Sequence, residues 1–315
     1  MATLPIENAK KFGDLDKILE APGAALLLVH DGKGVKVIDV EHLLAGVKVD
    51  VATTSKAGIV KPDGTTLSIG ADGALAVKDT TLGNAGAHNC IYRGKNLGSS
   101  VTAAQYAAIA AGTFTDMYIG DYWTIGDVTY RIAAFDYYKT TGDTECTTHH
   151  VTLVPDVNMY THKMNDTNTT EGGYVTSLMY TSGLTQAKTT INTAFGSAHI
   201  LSHRLFLCNA VSNGKPSGRS WYDSTVELMT EQNVYGGKFF GAGNDGTTVP
   251  GLWEVDKSQY PLFAFRPDLI SNRQTFWLRD VVSAANFARV NDTGSASCHG
   301  ASGARGVRPA FSIKS

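Results

Sequence analysis

Three groupings of side chains in this 315-residue chain have the types that do chemistry. His149-His150, with Asp136, Asp143 or Glu145 close in sequence, offer nitrogen and oxygen ligands to a metal ion. Adjacent residues on a strand point to opposite faces, and no His-x-x-x-His accompanies the pair. A structural hydrogen-bonding role is therefore expected for both. Glu227 and Glu231 stand four apart, a separation that could pair the two carboxylates a glycosidase needs. They precede Asn233-Val234-Tyr235-Gly236-Gly237 in what reads as a short helical turn, so a solvated or salt-bridged face is expected. Cys90, Cys146, Cys208 and Cys298 are widely scattered, whereas zinc sites and redox pairs need two thiols within a few residues. They read as ordinary reduced residues. The glycine clusters Gly236-Gly237 and Gly241-Ala242-Gly243 lack the Lys-Ser/Thr of a phosphate loop. No catalytic residue, metal or cofactor is expected.

The elements that would position a site fall into three stretches. With 27 Lys+Arg against 29 Asp+Glu, the chain lacks the broad basic field that nucleic acid or an anionic membrane demands. Its longest wholly apolar run, Ala24–Val29, is far short of the roughly 20 residues of a membrane span. No signal-like start is visible, so a soluble product of a cytoplasm is expected. Residues 1–46 read as a small module, a β-hairpin of Ala24–His30 and Val35–Val40 around Asp31-Gly32-Lys33-Gly34. Residues 47–90 read as a β-rich shaft and linker. Its strand candidates are Val47–Val51, Gly58–Lys61, Thr65–Ile69 and Ala74–Val77, and Leu82–Asn89 is the linker. Such short strands close no core in one chain, and trimerisation would leave fewer open edges. Residues 91–315 read as one large α+β domain. A possible capping box at Thr102-Ala103-Ala104-Gln105 opens one helix, and Leu184, Ala187, Ile191, Ala194 and Phe195 recur at helical spacing before Gly196.

Three stretches carry a family resemblance. Lys11–Leu15 through Ala24–Val29 to Lys36-Val37 resembles the virion-joining head of many phage fibre proteins, and Lys56–Thr66 is similar to the Thr/Gly-rich repeats of phage fibre shafts. The C-terminal part resembles phage-encoded C-type-lectin-like domains through five marks. These are Gly120-Asp121-Tyr122-Trp123, Thr148-His149-His150, Lys163-Met164-Asn165, Trp277-Leu278-Arg279 and Gly306-Val307-Arg308-Pro309-Ala310-Phe311. The resemblance implies a phage virion fibre or adhesin, on the virion surface, that attaches to a host-surface glycan or protein. It implies a homotrimer bound to other virion proteins through the N-terminal module. A purely structural head fibre or decoration protein without a dedicated receptor uses the same parts. The formylglycine-generating enzymes share the lectin-like fold but work through cysteines, and Cys298 has no sequence-near partner. Calcium-dependent sugar lectins show a carboxylate and an amide flanking a Pro plus a Trp-Asn-Asp run, which Arg266-Pro267-Asp268 and Val290-Asn291-Asp292 only graze.

In the lectin-like family the two terminal motifs are framework and the stretch between them is displayed, so Trp277, Arg279, Arg308 and Phe311 are expected as scaffold. In members diversified by retroelements, that stretch is hypervariable and binds the receptor. Here it covers residues 280–305, of which fourteen of 26 are Gly, Ala, Ser or Thr. On the residues alone, a display surface and a bland Ala/Ser loop are equal readings; the resemblance favours display. With Phe287 and Val290 pointing inward, Asn286, Ala288, Arg289, Asn291, Asp292 and Thr293 are expected at or near an exposed turn. Ser295, Ser297 and His299 follow on one face of the returning segment by the period-two rule. Arg289 and His299 are the best hot-spot candidates.

Overall fold

The computed structural model describes residues 84–244, 256 and 258–315, with the backbone of four short strands before them. The chain divides into two units, Met1–Lys78 and Asp79–Ser315. In the first, β1 (Leu26–His30) pairs antiparallel with β2 (Val35–Asp39), and β3 (Leu67–Ile69) with β4 (Leu75–Val77). The residues that join the two strands of each pair lie outside the described residues. The candidates Val47–Val51 and Gly58–Lys61 lie outside the described residues.

The second unit is mixed α+β and mostly strands. Residues expected to be linker form a helical turn, α1 (Ala85–His88), capped by Asn84, whose Oδ1 accepts the Ala87 N–H at 3.1 Å. His88 is buried, its Nδ1 2.6 Å from the Met117 carbonyl and its ring against Phe114 and Phe135. A Gly/Asn-rich composition hid this, because the helix is held by one buried imidazole rather than by an apolar stripe. Helix α2 (Ala103–Ala110) opens on a complete capping box between Thr102 and Gln105. Helix α3 (Thr185–Phe195) buries Ala187, Ile191 and Phe195 and stops at Gly196, which takes φ 82°.

Two five-stranded sheets carry the architecture. The first, in order β11-β16-β7-β6-β5, is antiparallel throughout: Val226–Leu228, Pro309–Ile313, Val151–Pro155, Val128–Phe135 and Tyr122–Ile125. The second, in order β14-β13-β12-β15-β8, comprises Ala296–Gly300, Asn286–Val290, Phe276–Val281, Arg305–Val307 and Tyr160–His162. Within it only β12 and β15 run parallel. A long hairpin, β9 (His203–Ser212) with β10 (Lys215–Ser224), stands beside them.

The second sheet has apolar groups on both faces. Phe276, Leu278, Ala288 and Val290 join one core with Trp123, Ile132, Phe195 and Phe311. Trp277, Phe287 and Val307 join a second core with Leu205, Leu207, Met164, Tyr174 and Met179. Successive side chains of a strand leave on opposite sides, so β12 and β13 each feed both cores. Phe287 and Val290 are both inward, but into different cores.

The chain passes from the second sheet to the first across a single residue, Arg308, which lies between β15 and β16 and is 1% exposed. Its Nε donates to the Pro155 carbonyl at 2.8 Å, and its Nη1 to Leu269 at 3.0 Å and Ile270 at 3.2 Å. The guanidinium also lies 5.2 Å from the Phe276 ring centre and 5.6 Å from that of Phe263. Burial pushes its pKa down to about 10. Arg279, on β12, donates to the Leu228 carbonyl at 2.6 Å and pairs with Asp256. Trp277 is fully buried with its Nε1 donating to the His162 carbonyl at 2.9 Å, and Phe311 is 1% exposed.

Trp277→Ala is expected to destabilise the unit by about 3–5 kcal/mol through the cavity it leaves, plus the orphaned His162 carbonyl. Trp221, only half-buried on β10, serves as the comparison. Denaturant melts of both variants check this, and equal losses would contradict the placement of Trp277 in a core.

Candidate functional site

Residues 280–305 contain a hairpin, β13 to β14, at the edge of the second sheet. Its turn is built by one side chain. The Asn291 Oδ1 accepts the Thr293 N–H at 3.0 Å, the Ser295 N–H at 2.9 Å and the Thr293 hydroxyl at 2.7 Å. Gly294 closes the turn at φ 87°, where a Cβ would come 3.0 Å from Ser271 Cβ. Asp292, Thr293 and Ser295 are exposed at this tip. Asn291 is half-buried and occupied with the backbone, so it holds the turn rather than offering a free contact.

Pairing then sorts the remaining candidates. Arg289 lies opposite Trp277 on β12 and opposite Ser297 on β14, and Phe287 lies opposite His299. Arg289, Ser297 and His299 therefore share the sheet face that carries Trp277, and the Arg289 Nε donates to Ser297 Oγ at 3.3 Å. The His299 and Trp277 ring centres are 6.2 Å apart. Asn286 is half-buried, its amide 3.9 Å from Cys298 Sγ. Ala288 does not belong to the exposed set: it is 0% exposed and packs in the first core. The expectation treated 286 and 288 as turn residues, whereas the strand continues to Val290 and puts both faces under cover.

Two residues complete the face that the sequence reading left out. Arg305, on β15, donates from Nη2 to His299 Nε2 at 2.6 Å and from Nη1 to the Ala304 carbonyl at 2.6 Å. Asn168, from a distant loop, accepts the Ser302 N–H at 3.0 Å and the Ser302 hydroxyl at 2.8 Å. A Cβ on Gly300 would lie 2.4 Å from Asn168 Oδ1, and one on Gly303 would lie 2.6 Å from His299 Cδ2. The glycines of Gly300-Ala301-Ser302-Gly303 were the available signal for this close approach. Nothing local pointed to Asn168.

The acidic groups behind the hairpin are placed differently from expectation. Glu227 and Glu231 face no solvent: they are 5% and 0% exposed. Glu227, on β11, accepts Tyr174 Oη at 2.8 Å and Ser224 Oγ at 3.1 Å, and burial raises its pKa. Glu231 opens α4 (Glu231–Tyr235) and accepts the N–H groups of Phe239, Phe240 and Gly241 at 2.8–3.0 Å. Glu227 is thus spent on two hydroxyls and Glu231 on loop N–H groups, neither on a solvated face. Asp280 lies beside Glu231 and accepts its N–H at 2.7 Å. Burial, then the neighbouring Glu231 charge, push the Asp280 carboxyl up to about 6.

His149 and His150 precede β7 instead of lying in it, and both touch Asp136, His149 through its ring and His150 through its backbone N–H. The His149 Nδ1 is 2.6 Å from Asp136 Oδ2, and the His150 N–H donates to Asp136 Oδ1 at 2.9 Å. The buried His150 ring accepts the Tyr138 N–H at 3.0 Å. Among the described residues, no group of three or more His, Cys, Asp or Glu is arranged to hold a metal ion, and no helix is long and apolar enough to cross a membrane. The Arg266 and Asp268 of the Arg-Pro-Asp motif pair with each other at 2.6 Å.

Comparison with protein-family models, with curated proteins and with solved structures found no match for this chain.

Asp280 gives a pH signature. Its folded pKa lies above the ordinary 3.8, so the folded state holds the proton more tightly and this group's contribution to stability falls as pH rises from about 4 to 6. Asp280→Asn is expected to gain stability relative to wild type across that window by up to about 2–3 kcal/mol, at 1.36 kcal/mol per pKa unit. Melts at pH 4, 5, 6 and 7 check it. A difference between the two proteins that does not change with pH would contradict the assignment.

Proposed function

We propose that this chain is a bacteriophage virion fibre or adhesin protein whose second unit is a C-type-lectin-like domain displaying residues 286–305 to a host-cell surface. The observation that carries the reading is the contrast within one hairpin. Its inward residues Phe287, Ala288 and Val290 are sealed into two cores, while Asp292, Thr293 and Ser295 are exposed at the tip. A turn held by the Asn291 side chain leaves the side chains around it free to differ without loss of backbone hydrogen bonds. The family marks support the same reading, since Trp277, Arg279, Arg308 and Phe311 lie buried at the base of the hairpin. In this reading the two small hairpins of the first unit belong to a virion-attachment module and a trimeric shaft. Weak single-tip affinity is then raised by roughly 10²–10⁴ through avidity on a repetitive receptor.

The test uses the full chain. Changing Arg289, Asp292, Thr293 and His299 together to Ala is expected to leave the melting temperature within about 3 °C while adsorption to host cells falls or shifts to another strain. Asn291→Ala alone is expected to cost about 1–2 kcal/mol, because it removes the acceptor for two turn N–H groups. Unaltered adsorption by the quadruple variant would put the receptor site elsewhere.

A further inference from the structure

Five arginines of the second unit are neutralised in place. Arg93 pairs with Asp116 and Asp121, Arg131 with Asp156, Arg204 with Asp143 and Asp223, Arg266 with Asp268, and Arg279 with Asp256. Arg289 and Arg305 differ. Among the described residues, no carboxylate lies within salt-bridge distance of either, although both stand on the same face of the sheet. Each is only half-buried.

What holds them is neutral. Arg289 leans on the Ser297 hydroxyl, and Arg305 spends one nitrogen on the Ala304 carbonyl and another on the His299 ring. Because a guanidinium has no acceptor, the His299 Nε2 must offer its lone pair, which puts the ring proton on Nδ1 and leaves the ring uncharged. Desolvation, followed by the charges of Arg305 and then Arg289, lowers the His299 pKa, in keeping with that neutral form. Arg289 is also lowered, by desolvation first and Arg305 second, so the two cations sense each other. The charge of Asp292, at the turn, acts on Arg289 in the opposite direction, and the two form no ion pair. The absence of side chains at Gly300 and Gly303 lets the 300–303 turn seat against His299 and Asn168. Arg305 is thereby carried to the His299 side of the face.

We propose that Arg289 and Arg305, with His299 bonded to Arg305 and Ser297 bonded to Arg289, bind an anionic group of a surface saccharide — a carboxylate, phosphate or sulfate. The inference rests on the display reading above and names the chemistry of its ligand. An oxyanion placed there would accept charge-assisted hydrogen bonds from two guanidinium groups and relieve their mutual repulsion. Neutral sugars would relieve nothing. A screened, salt-sensitive interaction follows from the partial exposure of both groups.

The test again uses the full chain, immobilised, with polygalacturonate, polyglycerol phosphate and heparin as carboxylate, phosphate and sulfate probes, and dextran as the neutral control. Binding of at least one polyanion, weakening as salt rises from 0.05 to 0.5 M, is expected, with no retention of dextran. The probe that binds most tightly identifies the group. Arg289→Gln with Arg305→Gln is expected to weaken that binding roughly tenfold or more, the scale of two partly exposed charge contacts. The control, Lys188→Gln with Lys314→Gln, removes the same charge elsewhere and is expected to bind as wild type. Equal loss in the control would reduce the effect to net charge and overturn the site, as would unchanged binding in the arginine variant or equal retention of dextran. Adsorption to host cells, measured in parallel, separates this inference from the reading beneath it. Cells bound equally by wild type and the arginine variant would overturn the anion site while leaving adhesion intact. Failure of the wild-type chain to adsorb to any host cell would remove both.

Discussion

A single buried cation, Arg308, is the constraint on which the second unit turns. Its guanidinium is enclosed at the one-residue step between the two five-stranded sheets and donates to three carbonyls, those of Pro155, Leu269 and Ile270. A charge so enclosed is tolerated only if its donors are met, and among the described residues no carboxylate lies within pairing distance to do so. The carbonyls come from the end of β7 and from the segment leading into β12, so satisfying the cation fixes where both sheets stand. Lys would offer three donors from a point and would lose the planar contacts with Phe263 and Phe276.

From that step outward, the site is a matter of edges. β12 is flanked on one side by β15, and on the other by the hairpin that ends in the free strand β14. Buried partners fix everything toward the centre. Toward the edge the side chains become smaller and more polar, and backbone bonds plus one amide, Asn291, carry the shape. That gradient is what lets one stretch be both part of a sheet and an exposed edge. The carboxylates behind it, Glu227, Glu231 and Asp280, serve the same end by tying hydroxyls and loop N–H groups to the framework.

Much of this was legible in the sequence where the signal is local. The Thr102–Gln105 capping box, the apolar period of residues 184–195, and the antiparallel pairing of β1 with β2 and of β3 with β4 all depend on neighbours within a few positions. What failed depended on partners far along the chain. Glu227 and Glu231 were read as solvated because helical spacing says nothing about Tyr174 or about the loop at 239–241. Ala288 is expected near the turn because no local signal shows that β13 runs on to Val290, where Ala288 packs in the first core. Arg305 was passed over because its role is set by His299 across the sheet.

The placement of β15 and β16 also bears on how the chain acquires its structure. These strands occupy interior positions in different sheets, β15 between β12 and β8, β16 between β11 and β7. They are separated by one residue, and β8 and β7 lie about 150 positions earlier in the chain. Until residues 305–313 have left the ribosome, neither sheet can close, and β12 waits with an unpaired edge. Assembly of this unit is thus dominated by distant pairings, the regime in which folding is slow and half-made intermediates are prone to stick to one another.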